Sequence, residues 1–133
     1  MASTARIFHL LDTPIRVLSG KISLDPLSLR GEIHFKDVSF RYNDRQALFH
    51  GVDFVCQAGQ TTALVGPTGS GKSTAAKLML RFYEPSSGEI LLDGTNLKAL
   101  EVKSLRSQIG YVGQDVFLTD DTIRANIAYG SPD

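Results

Sequence analysis

The sequence predicts an α/β domain with a parallel-sheet core and a smaller antiparallel β piece ahead of it. Three observations carry that class. The runs TTALVG (61–66) and IGYVG (109–113) are short and almost wholly apolar or small, the composition of strands buried on both faces. The first of them leads into a glycine-rich stretch that opens an apolar helical pattern, giving the order strand, loop, helix. Upstream, two runs with alternating apolar residues flank the connection NDRQ (43–46), as the arms of an antiparallel pair do.

Taken in order, STARIFHLLD (3–12) places Ile7, Leu10 and Leu11 at helical spacing, with Ser3 or Thr4 able to cap the start. Residues 13–30 hold Pro14, Gly20 and Pro26, with Gly31 just beyond, and keep no period, so residues 1–30 read as a helix and linker and the globular part as 31–133. In GEIHFKDVSFRY (31–42) the apolar residues are Ile33 and Phe35, then change parity to Val38, Phe40 and Tyr42. This predicts a strand with a bulge near Lys36 and Asp37. GVDFVCQAG (51–59) alternates through Val52, Phe54 and Cys56 as its partner. After the glycine loop, Ala75, Leu78, Met79 and Phe82 fall at helical spacing, and Pro85 and Gly88 in EPSSG are expected to end that helix. EILLDGTNL (89–97) reads as strand and turn, EVKSLRSQ (101–108) as a short helix, and DDTIRANIAYG (120–130) as a capped helical segment closed by Gly130.

Composition narrows the function classes. At 133 residues with 42% hydrophobic content, one domain with its own core is expected. Fourteen basic residues balance fourteen acidic ones, so no basic excess points to nucleic acid or to a membrane surface. The single cysteine, Cys56, has no partner for an internal disulfide, which fits a packed thiol in a reducing, cytosolic setting. No apolar run approaches the roughly 20 residues of a spanning helix, and the N-terminus lacks the pattern of a signal peptide.

The stretch GPTGSGKST carries the chemistry. Its residues Gly66, Pro67, Thr68, Gly69, Ser70, Gly71, Lys72, Ser73 and Thr74 meet the spacing G-x-x-x-x-G-K-[ST] between a strand-like run and a helix. Glycines let the backbone turn successive N–H groups toward an anion, and the helix beginning at Lys72 aims its N-terminal dipole at the same charge. Lys72 supplies a mobile cation for β- and γ-phosphates, and the Ser73 hydroxyl is a hard oxygen suited to Mg²⁺. The pattern points to a bound nucleotide phosphate rather than to a glycine-rich turn with an exposed lysine.

With its flanks, the sequence resembles the nucleotide-binding domain of ABC transporters of the exporter type, in which that domain follows membrane-spanning segments. IHFKDVSFRY, GQTTALVGPTGSGKSTAAKLMLRFYEPSSGEILLDG and YVGQDVFLTDDTIRANIAYG carry the resemblance over almost the whole chain. It implies a P-loop NTPase (RecA-like) core, incomplete here, with ATP and Mg²⁺ as cofactors. It also implies that Tyr42 stacks on adenine and that Gln114 touches Mg²⁺ and the attacking water. Read without the family, Tyr42 is as well a strand residue and Gln114 a turn glutamine. Implied partners are a transmembrane domain, toward which Phe117 and Leu118 would lie, and a second nucleotide-binding domain, with the assembly on the cytoplasmic face of a membrane. Phe117 and Leu118 are equally natural as core.

Two similar-looking stretches are set aside. Asp93 in ILLDG (90–94) imitates a metal-holding aspartate, but Asp93-Gly94 between strand-like runs is a hairpin turn. LSGK (18–21) shares three letters with the family's signature motif yet precedes the glycine loop. The resemblance places that signature, an apolar strand with Asp and Glu, and a switch histidine after Asp133; His9, His34 and His50 all come too early. The 133 residues are therefore expected to bind Mg-ATP weakly, to turn it over little, and to be marginally stable with unpaired sheet edges. Alternatives are another phosphate-loop enzyme, such as a small kinase, and a non-catalytic nucleotide-binding module.

Overall fold

The computed structural model describes residues 8, 17–43, 46–114 and 117–130. All of the expected helix over 3–12 except Phe8, and the middle of the NDRQ connection, lie outside the described residues. Strands β1 (Ile33–Phe40), β2 (Phe49–Cys56), β3 (Ser87–Leu92) and β4 (Thr95–Asn96) form one sheet in the order β2-β1-β3-β4, antiparallel at every pairing. Helix α1 (Lys72–Met79) lies between β2 and β3 in the chain, and α2 (Val102–Ser107) and α3 (Ile123–Ile127) follow β4.

The parity change in β1 has its cause in a bulge. Register shifts separate Phe35 from Val38 on the β2 side and Lys36 from Ser39 on the β3 side, and Asp37 takes φ 49°. The extra residue returns Val38 and Phe40 to the face that Phe35 occupies, so all three are buried. Gly88 of β3, at φ 77°, makes room for the bulge: a Cβ there would stand 2.1 Å from the Asp37 carbonyl oxygen. Phe35 pairs with Phe54 on one side and Ile90 on the other, and its ring stacks on Phe54 at 4.4 Å between centroids. One core cluster joins these residues to Ala75 and Leu78 of α1 and to Leu97, Leu100 and Leu105. Cys56 is half-buried on the β2 face that carries Val52 and Phe54.

The expected antiparallel β piece is present, whereas the two runs expected as parallel strands stand apart from it. Among the described residues, 61–66 and 109–113 enter no strand ladder, and Val65 and Val112 are 91% and 96% exposed. An extended run becomes a strand only when a neighbour takes its N–H and C=O groups, and apolar composition alone supplies no such neighbour. The one parallel pairing among the described residues is the isolated bridge Ile22–Leu100. The phosphate-loop helix also ends sooner than the spacing of Phe82 suggests. Arg81 turns to φ 51° directly after the Leu80 cap, and Arg106 donates to the carbonyls of Leu80 and Arg81, which would otherwise be unpaired at the helix end.

Asp93 is the turn residue expected, with φ 49° at Asp93 and 80° at Gly94, both positive as a two-residue hairpin between Leu92 and Thr95 requires. Its carboxylate also accepts backbone N–H bonds from Arg30, Gly31 and Glu32 at 2.7, 3.1 and 2.9 Å, fastening the entry of β1 to the β3–β4 turn. Partial burial opposes its ionisation, but the N–H groups of Gly31, Glu32 and Arg30 outweigh burial and hold the carboxyl below its ordinary range. A carboxyl with a lower pKa in the fold than in the unfolded chain stabilises fully above the unfolded value, and that contribution is lost as pH falls through the folded value. Urea melts recorded from pH 7 into the acid range should therefore show stability dropping below about pH 4. Asp93→Asn should be less stable at pH 7 and should flatten that acid limb. An unchanged acid limb in the variant would rule the clasp out as its source.

Candidate functional site

The site grows from the point where the sheet gives way to α1. Gly71 caps α1 at φ 96° and ψ 4°, a left-handed conformation that turns the chain sharply into the helix and that a side chain would disfavour. It is also buried against β2, since a Cβ would stand 2.3 Å from Cε1 of Phe49 and 3.3 Å from Cγ of Leu48. Close contact between loop and strand therefore fixes where α1 begins, and with it the placement of Lys72 and Ser73.

Around that helix start lies a cleft of about 490 Å³ lined by Tyr42, Leu48, Thr68, Gly69, Gly71, Lys72, Ser73, Thr74 and Gln114. Gly66, Pro67 and Ser70 of the same loop do not line it. The Lys72 ammonium donates to the carbonyl oxygens of Gly66 and Pro67, both at 2.8 Å, and lies 3.5 Å from Ser70 Oγ. The loop is thus drawn around the ammonium, whose donors go to the two carbonyls and, over the longest distance, to the Ser70 hydroxyl. Ser73 is exposed, with its hydroxyl one residue past the lysine. No Asp or Glu lines the cleft among the described residues, so its ionised group is the Lys72 cation. A cleft of cation, hydroxyls, amide and glycine backbone is chemically suited to an anion.

Tyr42 lies two residues past β1, and the chain between them brings it to the cleft rather than into the ladder. Its hydroxyl and Thr74 Oγ1 share a hydrogen bond of 3.0 Å, which joins the end of the sheet to the first turn of α1. Its ring meets those of Phe40 at 4.8 Å and Tyr83 at 5.0 Å, both edge to face. Gln114 reaches the same cleft from 72 positions further along the chain than Tyr42, following segment 109–113, which enters no ladder. Phe117 and Leu118 are exposed and line no part of it. His34 and His50 lie on β1 and β2, with His34 Nε2 3.3 Å from an oxygen of Asp53.

Two contributors were not anticipated from sequence. Leu48 forms part of the cleft wall and has no motif to announce it. Tyr83 buttresses Tyr42, although its place in RFYEP reads as the end of an apolar helical pattern. An aromatic four residues past the close of α1 is the available sign, and it needs the turn at Arg81 to become meaningful.

The family model described as ABC transporter matches residues 49–131. Over 128 residues the chain is 48% identical to an ATP-dependent lipid A-core flippase of Ralstonia nicotianae, covering 96% of this chain and 21% of that protein. Over 122 residues it is 46% identical to an uncharacterized ABC transporter ATP-binding protein of Bacillus subtilis, covering 92% of this chain and 21% of that one. Among solved structures it superposes with a TM-score of 0.83 on a bacterial Atm1-family ABC exporter with ATP bound, at 39% identity over 99% of this chain and 23% of the exporter chain. The chain thus spans about a fifth of the length of the curated relatives it matches.

Proposed function

The chain belongs to the ABC transporter family, and on that premise we propose that it takes Mg-ATP in the cleft at the start of α1. Residues 31–133 are then the first portion of an ATP-binding domain, and 1–30 a helix and linker from a membrane domain. In the whole protein, ATP binding and hydrolysis drive export of a substrate. This domain sits on the cytoplasmic side, against a transmembrane domain and a second nucleotide-binding domain. The supporting observation is convergence: Tyr42, the Gly66–Thr74 loop and Gln114 are far apart in sequence and meet around one cleft. The relatives named ATP-dependent and the exporter with ATP bound support the choice of ATP.

Each group has a task that its position allows. The loop backbone and the N-terminus of α1 receive the phosphates, and Lys72 balances the charge of the β- and γ-phosphates. Tyr42 offers its ring to adenine, held in place by Tyr83, Phe40 and the bond to Thr74. Ser73 Oγ and the Gln114 side-chain oxygen are neutral, hard donors, which fits Mg²⁺ with its remaining positions left to phosphate and water. When bound, Mg²⁺ would neutralise charge developing on the phosphate oxygens. Gln114 would orient the attacking water. Activating that water also needs a base, which the family resemblance places beyond these residues.

Calorimetric titration of the chain with Mg-ATP, beside Tyr42→Ala and Tyr42→Phe, tests the reading. Loss of a stacking platform costs about 1–3 kcal/mol, so Tyr42→Ala should bind about 5- to 150-fold more weakly, while Tyr42→Phe keeps most of the affinity. A chain with folded far-ultraviolet dichroism that shows no heat and no competition with a fluorescent ATP analogue would overturn it. Equal affinity in Tyr42→Ala would remove the adenine role.

A further inference from the structure

Arg81 stands immediately after the α1 cap, 3% exposed, and its guanidinium is fully engaged. It donates to Leu18 O at 2.8 Å and Leu100 O at 3.0 Å, and it pairs with Glu84 at 2.7 Å. Leu18 opens the stretch LSGK, which the sequence reading treats as linker. In the fold this stretch is tied down. Gly20 N–H donates to Leu100 O, and the N–H groups of Lys21 and Ile22 donate to Ala99 O, each at 3.0 Å; Glu101 N–H returns a bond to Ile22 O at 2.7 Å. Further along, Leu24 N–H donates to Ser104 Oγ at 2.8 Å. Gly20 is pressed so close that a Cβ would stand 2.2 Å from the Ala99 carbonyl.

The same α1 that presents Lys72 and Ser73 at one end is therefore followed at the other by an arginine that grips Leu18 and Leu100, and residues 20–24 are tied in turn to the backbone around Leu100 and to Ser104. The eight residues of α1 span roughly 12 Å, short enough for a tilt at one end to be felt at the other. Arg106 stiffens the junction through its bonds to Leu80 O and Arg81 O and by stacking on Phe82 at 4.9 Å.

We propose that Arg81 is a positioning residue for the phosphate loop, linking the docking of residues 18–24 to the affinity of the cleft for Mg-ATP. The proposal rests on the Mg-ATP reading above. Docking of the segment favours the α1 placement that receives phosphate, and by reciprocity bound nucleotide favours the docked segment to the same degree. Arg81 touches no substrate; it acts through α1.

Hydrogen exchange of the full chain, followed at Gly20, Lys21 and Ile22 with and without saturating Mg-ATP, gives the decisive readout. Exchange at these amides should slow by about fivefold or more on binding, the lower end of ordinary site coupling. Arg81→Gln should weaken Mg-ATP by a similar factor and abolish the slowing. Should Arg81→Gln fail to fold, Ser104→Ala loosens the segment from its far side, away from the cleft, and should lower affinity in the same direction. If the wild-type chain binds Mg-ATP while exchange at residues 20–22 is unmoved, the link is overturned and the binding reading survives. Wild-type affinity in the folded variants would overturn it equally. If the wild-type chain does not bind Mg-ATP, both fall together.

Discussion

Replacing Lys72 by alanine should weaken Mg-ATP binding to the chain by about 10- to 150-fold, with little change in folding stability. The estimate follows from the 1.5–3 kcal/mol typical of a hydrogen bond to a charged group. The ammonium now satisfies two loop carbonyls, Gly66 O and Pro67 O, and is the ionised group of the cleft lining among the described residues. Its removal takes away the charge that offsets phosphate and the tether that draws the loop inward. The folding cost is small because these bonds lie at the surface, where water replaces the ammonium on the carbonyls. Titration calorimetry on the variant, with a urea melt as control, separates the two effects. A variant that binds as the wild type does would show that phosphate is not recognised at this lysine.

Gly71→Ala should fail in both respects, losing nucleotide binding and much of the folding stability. An alanine at φ 96° bears the cost of the left-handed region, about 1–2 kcal/mol. Its Cβ would also drive into the Phe49 ring at 2.3 Å, and overpacking of that kind costs about 1–3 kcal/mol. Against a typical domain stability of about 5–15 kcal/mol the sum is a large loss. The two parts can be separated: in the double variant Gly71→Ala, Phe49→Ala the steric part should be relieved and the conformational part retained. A non-additive cycle with the double variant less damaged than the two singles predict is the expected result. Strict additivity would mean that loop and strand do not press on each other.

What could be read from the sequence was what local chemistry decides. The glycine loop, the turn at Asp93-Gly94 and the bulge in β1 each rest on a few adjacent residues whose backbone preferences leave little choice. The β1–β2 pairing was legible because both runs carry their own alternation. TTALVG and IGYVG have the composition of buried strands, but composition does not provide the neighbour that a ladder needs. The grip of Arg81 and Arg106 on the end of α1 was illegible for a different reason. It joins positions 18, 81, 100 and 106, which no period or motif connects, and a buried arginine in RFYEP looks like any surface charge until the fold encloses it. The cleft itself was half legible. The loop residues announced themselves, Tyr42 and Gln114 drew their meaning from the family resemblance, and Leu48 and Tyr83 had neither source.

The fit of Gly88 against the bulge at Asp37 bears on inheritance as much as on packing. The carbonyl that the bulge pushes outward occupies the space that a side chain at position 88 would fill. A lineage cannot acquire a larger residue at 88 while β1 keeps its extra residue. Nor does it gain from deleting that residue alone, since doing so flips Val38 and Phe40 away from the core. The two positions thus form a single heritable unit, open to change together and closed to change apart. In descendants of this sequence, a glycine lost at 88 should be accompanied by a β1 one residue shorter.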